Sequence, residues 1–173
     1  MSKKHAEHPA RPPLTEGQPS TDPQYKFNRF MVTRLSFQEL PLAPLAEGET
    51  RPTVYALEVG LNLTAGISSE GKDSEVRMAV RVTADPRVKP YVIEVEVLGQ
   101  FSMVSGTPEN FQMFVHRLAP AILFPYVREI VDRTTIDGRY GVVRLDPMNL
   151  QAAINHDDWK PVETPAIVGS SAP

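Results

Sequence analysis

The 173-residue sequence contains no cysteine. That excludes a disulfide framework, a thiolate nucleophile and cysteine-ligated zinc, and it agrees with a reducing compartment. No stretch reaches the roughly eighteen apolar residues that a membrane-spanning helix needs. The N-terminal MSKKHAEHPARPP has two lysines but no apolar run behind them, so it does not read as a secretory signal. Basic side chains are not in excess: 18 Lys and Arg stand against 21 Asp and Glu, a formal charge of −3. The footprint of a nucleic-acid binder is therefore missing. Glu70, Gly71 and Lys72 lack the upstream glycine spacing of a phosphate loop. His116 lies between apolar positions and reads as a surface or interface histidine. His156, Asp157 and Asp158 read as a solvated run, not a metal site. Glu94 and Glu96 share the wet face of a strand with no partner for acid–base work. The expectation is a soluble, cytoplasmic protein that is not an enzyme, with no cofactor, no metal and no membrane insertion.

Proline is abundant: there are 17, gathered at the ends and in the connections. Residues 1–26 have almost no large apolar side chains and cannot offset their ordering entropy, so a disordered tail is predicted there. Residues 155–173 read the same way, apart from an anchor at Trp159. The folded domain is predicted over 27–154.

Within it, VYALEVGLNLTAGI places Tyr55, Leu57, Val59, Leu61, Leu63, Ala65 and Ile67 on one face. That period of two marks a half-buried strand. EVRMAVRVT and YVIEVEVLGQFSM repeat the alternation after short turn clusters, giving an antiparallel meander with one wet face. FNRFMVTRLSFQEL is a fourth strand. Simple alternation puts Phe27, Met31, Leu35 and Phe37 on one face and Phe30 and Val32 on the other. Apolar residues on both faces suggest a central strand or an edge that meets a partner. The Pro-rich segment 41–52 is too long for a hairpin and should cross over the sheet.

A helix should begin at Thr107, an N-cap followed by Pro108 and Glu109. Its apolar spacing of three and four continues from Phe111 to Val131 across Pro120 and Pro125. Each proline costs roughly 3 kcal/mol in a helix interior. Each large side chain buried gains on the order of 1.5–3 kcal/mol. The stripe outweighs the prolines, so one bent rod is predicted, ended by Gly138.

The run PAILFPYVRE (120–129) resembles the signature segment of the SecB family of protein-export chaperones. Gly138 and LDPMNL (145–150) resemble that family's glycine and following motif. FNRFMVTRLSFQEL resembles its first strand, and VIEV (92–95) part of its last. The resemblance implies an α+β fold: a four-stranded antiparallel sheet, then a long Pro-kinked helix and a short second helix, packed on one face. Leu150 begins the short helix.

It also implies a homotetramer, a dimer of dimers. Phe30, Val32 and Arg34 of the first strand and Phe124, Tyr126 and Arg128 of the helix are the expected interface. The implied function is ATP-independent holding of unfolded or precursor polypeptides, with handover to the SecA motor. The expected client surface is Leu40, Leu42 and Leu45 on a mobile crossover, beside Tyr55, Leu57, Val59 and Leu150. Glu94 matches an acidic motor-docking position, whereas Arg34 and Gln38 stand where the family has acids. Divergent relatives serve toxin–antitoxin systems instead. A second reading from another class is a helix-grip protein closing a sheet over a small molecule or lipid. The prolines and the low strand count favour the chaperone.

Overall fold

The structure, a computed structural model, describes residues 22–150. Most of the expected N-terminal tail, the short helix beyond Leu150, Trp159 and the C-terminal tail lie outside the described residues. Four strands come first: β1 (Gln24–Glu39), β2 (Leu57–Ile67), β3 (Asp73–Ala84) and β4 (Tyr91–Ser105). Two helices follow, α1 (Pro108–Arg117) and α2 (Ala119–Thr135). The sheet is antiparallel with order β1-β4-β3-β2, so the meander is extended by β1 beside β4 and both β1 and β2 are edges.

β1 starts at Gln24, inside the segment expected to be disordered. Tyr25 explains this. Its ring stacks on Phe114 with centroids 4.1 Å apart, and its hydroxyl donates to the Asn110 carbonyl at 3.1 Å. The face assignment of β1 also needs correction. Register shifts fall between Phe27 and Arg29 and between Val32 and Arg34. Each β-bulge inserts one residue and flips the alternation. Phe27, Phe30, Val32, Leu35 and Phe37 therefore pair with Phe101, Gly99, Val97, Val95 and Ile93 on one face, and only Met31 moves to the other.

That face is the core face. Val76, Met78, Val80 and Val82 of β3 and Tyr91, Ile93, Val95, Val97 and Phe101 of β4 are buried there. Phe111, Phe114, Val115, Ala119, Leu123, Phe124, Val127 and Val131 of the helices cover them. Gly99 makes close approach possible: a Cβ at this position would lie 2.6 Å from Leu123 Cδ2.

The predicted rod is present as two helical pieces joined at Leu118. Thr107 caps α1 in extended geometry, its Oγ1 accepting the Asn110 N–H at 3.3 Å. Hydrogen bonds run through the joint, from the Leu118 N–H to Phe114 O (2.8 Å) and from the Ile122 N–H to Leu118 O (3.1 Å). Pro120 explains the break, because it has no N–H for the His116 carbonyl and its ring crowds the preceding turn. Pro125 sits inside α2, on an exposed position. α2 itself stops at Thr135, and Gly138 closes the next turn by donating to Thr135 O at 3.0 Å. Gly138 is not in a left-handed conformation. A side chain there would strike the Tyr91 hydroxyl and the Glu39 carboxylate, and this close approach is what requires glycine.

Candidate polypeptide-binding groove

The crossover between β1 and β2 is fastened to the β3–β4 turn. The Leu40 N–H donates to Pro90 O (2.8 Å) and the Ala43 N–H to Pro86 O (2.9 Å). Arg51 donates to the Arg87 carbonyl (2.6 Å), and Arg87 pairs with Glu49 at 3.3 Å. The turn is itself rigid. Asp85 accepts the Arg87 N–H at 2.9 Å and pairs with its guanidinium at 3.0 Å, and these bonds hold the Asp85 carboxyl below its ordinary pKa. Leu40 is exposed and Leu42 and Leu45 are half-buried along this fastened crossover.

A groove of about 480 Å³ opens where the crossover enters β2. Tyr55, Leu57 and Val59 form one wall; Leu145, Pro147 and Met148 form the other, with Arg144 and Asp146 at the rim. α2 positions the second wall. Arg128 Nε donates to the Leu145 carbonyl at 2.7 Å. The buried Thr135 hydroxyl donates to Val131 O and accepts the Val143 N–H, both at 2.9 Å.

Three of the expected client residues, Tyr55, Leu57 and Val59, thus share one wall. Leu40, Leu42 and Leu45 lie outside the lining. Leu150 and Leu145 are both buried in the core; Leu145, with the half-buried Met148, belongs to the lining and Leu150 does not. The sequence carried a signal for Leu145 and Met148, since both stand in the LDPMNL motif.

Among the expected interface residues, Val32 is 44% exposed and Tyr126 is 39% exposed, with Leu35 also open beside them. Phe30 stacks on Tyr126 with centroids 4.6 Å apart. Phe124 is buried within its own chain, and Arg128 is committed to Leu145.

The opposite face of the sheet carries a charge lattice. Glu94 is shared by Arg34 and Arg81, each at 3.0 Å. Glu96 pairs with Arg77 at 2.8 Å and accepts the Thr33 hydroxyl at 2.7 Å. The Thr33 bond lowers its pKa most; burial opposes it, and the Arg77 bond and charge lower it further. Glu94, the candidate docking acid, is thus ion-paired to two arginines of its own sheet.

The model of the SecB family, described as preprotein translocase subunit SecB, matches residues 18–158. The chain belongs to the SecB family. The protein-export protein SecB of Acidithiobacillus ferrooxidans is 35% identical over 132 residues, covering 74% of this chain and 85% of the relative. That of Stenotrophomonas maltophilia is 30% identical over 135 residues, covering 76% and 75%. A solved structure of similar fold is the Mycobacterium tuberculosis Rv1957 SecB-like chaperone, in complex with a ChAD peptide from the Rv1956 HigA1 antitoxin. It superposes with a TM-score of 0.56 at 13% identity, over 72% of this chain and 91% of that one. SecB is a chaperone family and not an enzyme family. Among the described residues, no helix is long and apolar enough to cross a membrane.

Proposed function

We propose that this SecB-family chaperone holds unfolded polypeptides, export precursors among them, along the groove between residues 55–59 and 144–148, without nucleotide. The observation that carries the reading is the groove itself, an open trough whose lining sets the apolar Tyr55, Leu57, Val59 and Met148 beside the charged Arg144 and Asp146. An extended chain can lay alternate apolar side chains into such a trough. Leu40, Leu42 and Leu45 extend the apolar surface along the crossover.

The protein works in the cytoplasm, before export. The assembly is a tetramer. Val32, Leu35 and Tyr126 leave an uncovered apolar strip on the core side of β1, with Leu118 exposed and Ile122 and Ile130 half-buried along the helices. Such a strip fits a second copy. Handover to SecA through Glu94 is weakened by Arg34 and Arg81, which favours another recipient. The peptide bound to the mycobacterial SecB-like chaperone gives a precedent for an antitoxin in that role.

The test is light scattering of a denatured client diluted into native buffer without ATP. Near-stoichiometric protein should suppress aggregation, and replacing Val59 and Met148 of the groove by Glu should weaken suppression while leaving the oligomer intact, with Leu42 and Leu45 to Glu weakening it less. Unchanged aggregation with the native protein in excess refutes the reading.

A further inference from the structure

Lys89 links Tyr55 of one groove wall to Val142, in the segment that leads into the other wall. Its ammonium lies 4.9 Å from the centroid of the Tyr55 ring, on the β2 wall. The same ammonium donates a hydrogen bond to the Val142 carbonyl, two residues before the opposite wall begins. A Cβ added at Gly141 would lie 3.8 Å from Lys89 Nζ, so the ammonium passes close to this turn. The base of this side chain is fixed. The Lys89 N–H donates to Asp85 O at 2.9 Å, and the Tyr91 N–H donates to Lys89 O at 2.7 Å. The turn that carries Lys89 also holds the crossover, through Pro86, Arg87 and Pro90.

We infer that Lys89 is a positioning residue for polypeptide binding: a strut between Tyr55 and Val142 that sets the width of the groove. The inference rests on the holding reading above. A cation over an aromatic face and a charge-assisted bond to a carbonyl are both directional, so together they fix one spacing. Without them the Tyr55 ring turns freely and the segment before Leu145 loses its tie to the sheet. An unfolded chain then has to order the walls as it binds, which lowers affinity.

Lys89→Met keeps the stem and removes both contacts. Lys89→Arg keeps a cation that stacks on Tyr55 and can donate to Val142. The probe is reduced, carboxymethylated α-lactalbumin, a permanently unfolded chain, titrated by fluorescence anisotropy. Lys89→Met should raise its Kd about three- to thirtyfold, the span that losing these two contacts allows. Lys89→Arg should bind within about threefold of the native protein, which is within 1.4 kcal/mol. Amide hydrogen exchange without the probe should quicken at residues 53–56 and 141–145 in Lys89→Met alone.

Equal affinity of native protein and Lys89→Met, with unchanged exchange, overturns the strut. Equal weakening by Met and Arg, with a matching loss of thermal stability, also overturns it, because the lysine would then be a fold residue. If the native protein itself fails to bind the probe, the holding reading falls. The exchange comparison still decides whether Lys89 ties the walls.

Discussion

Gly99→Ala tests whether the bent helix is docked on the sheet as closely as described. The added Cβ would lie 2.6 Å and 3.3 Å from the two Leu123 methyls and 3.0 Å from Phe101 Cε2. Carbon atoms normally rest about 3.5–4.0 Å apart, so the nearest methyl has to retreat by about 1 Å. Leu123 is fully buried and Phe101 nearly so, and neither has open space to enter. Overpacking of this kind costs about 1–3 kcal/mol. Replacing glycine returns about 0.4–1 kcal/mol through the unfolded chain. The net loss should lie between about 0 and 2.6 kcal/mol.

Leu123→Ala alone should cost about 2–5 kcal/mol by leaving a cavity. The double variant puts the new methyl into that cavity. It should be more stable than the sum of the single effects by about 1–2 kcal/mol. Urea unfolding followed by far-UV circular dichroism, at one protein concentration, gives all four stabilities. A Gly99→Ala variant more stable than the parent, or strict additivity, would refute the packing argument.

Pro125→Ala restores an N–H for the Ala121 carbonyl at an exposed position and should stabilise the protein by up to about 3 kcal/mol; a lower urea midpoint would count against the bent-helix account. Tyr91→Phe removes the hydroxyl that accepts the Tyr140 N–H at 2.6 Å, leaving a part-buried donor unpaired at a cost of about 1–3 kcal/mol, readable in the same unfolding assay. The Glu96 carboxyl titrates below its ordinary value in the folded state. Its contribution is therefore fully present above the unfolded pKa and is lost as the pH falls through the lower folded one. Thr33→Val and Arg77→Met should flatten the acid limb of a stability–pH profile, and an unchanged limb would contradict the assignment.

The meander was legible because each of its strands alternates cleanly and is bounded by turn residues. β1 was harder. Its apolar residues are spaced by three from Phe27 to Phe30 and from Val32 to Leu35, with polar Asn28 and Thr33 between. Those two spacings are the trace that bulges leave, and strict alternation assigned Phe30 and Val32 to the wrong face. The helix stripe and its N-cap were readable, and so was the survival of the helix across its prolines. The location of the break at Leu118 depends on which proline strains its turn more, and periodicity does not show that. Gly138 was read as a helix stop, but its reason is the approach of Tyr91 and Glu39 from two distant strands. The strand pattern put Tyr55, Leu57 and Val59 on one face, and the family resemblance, not the pattern, pointed to that face as a client wall. The other wall did not follow from the pattern, because Arg128 and Thr135 hold residues 143–145 through bonds to backbone atoms. Such bonds leave no periodic mark, and the same is true of Lys89 reaching Val142.

On the proposed reading, this chain recognises the unfolded state through the groove between residues 55–59 and 144–148. Titration calorimetry with one client in two forms, native and permanently unfolded, tests it most directly. Without nucleotide, the unfolded form should bind with a negative heat-capacity change, and the native form should give no heat of binding. Equal binding of both forms, or binding of neither, would contradict the account.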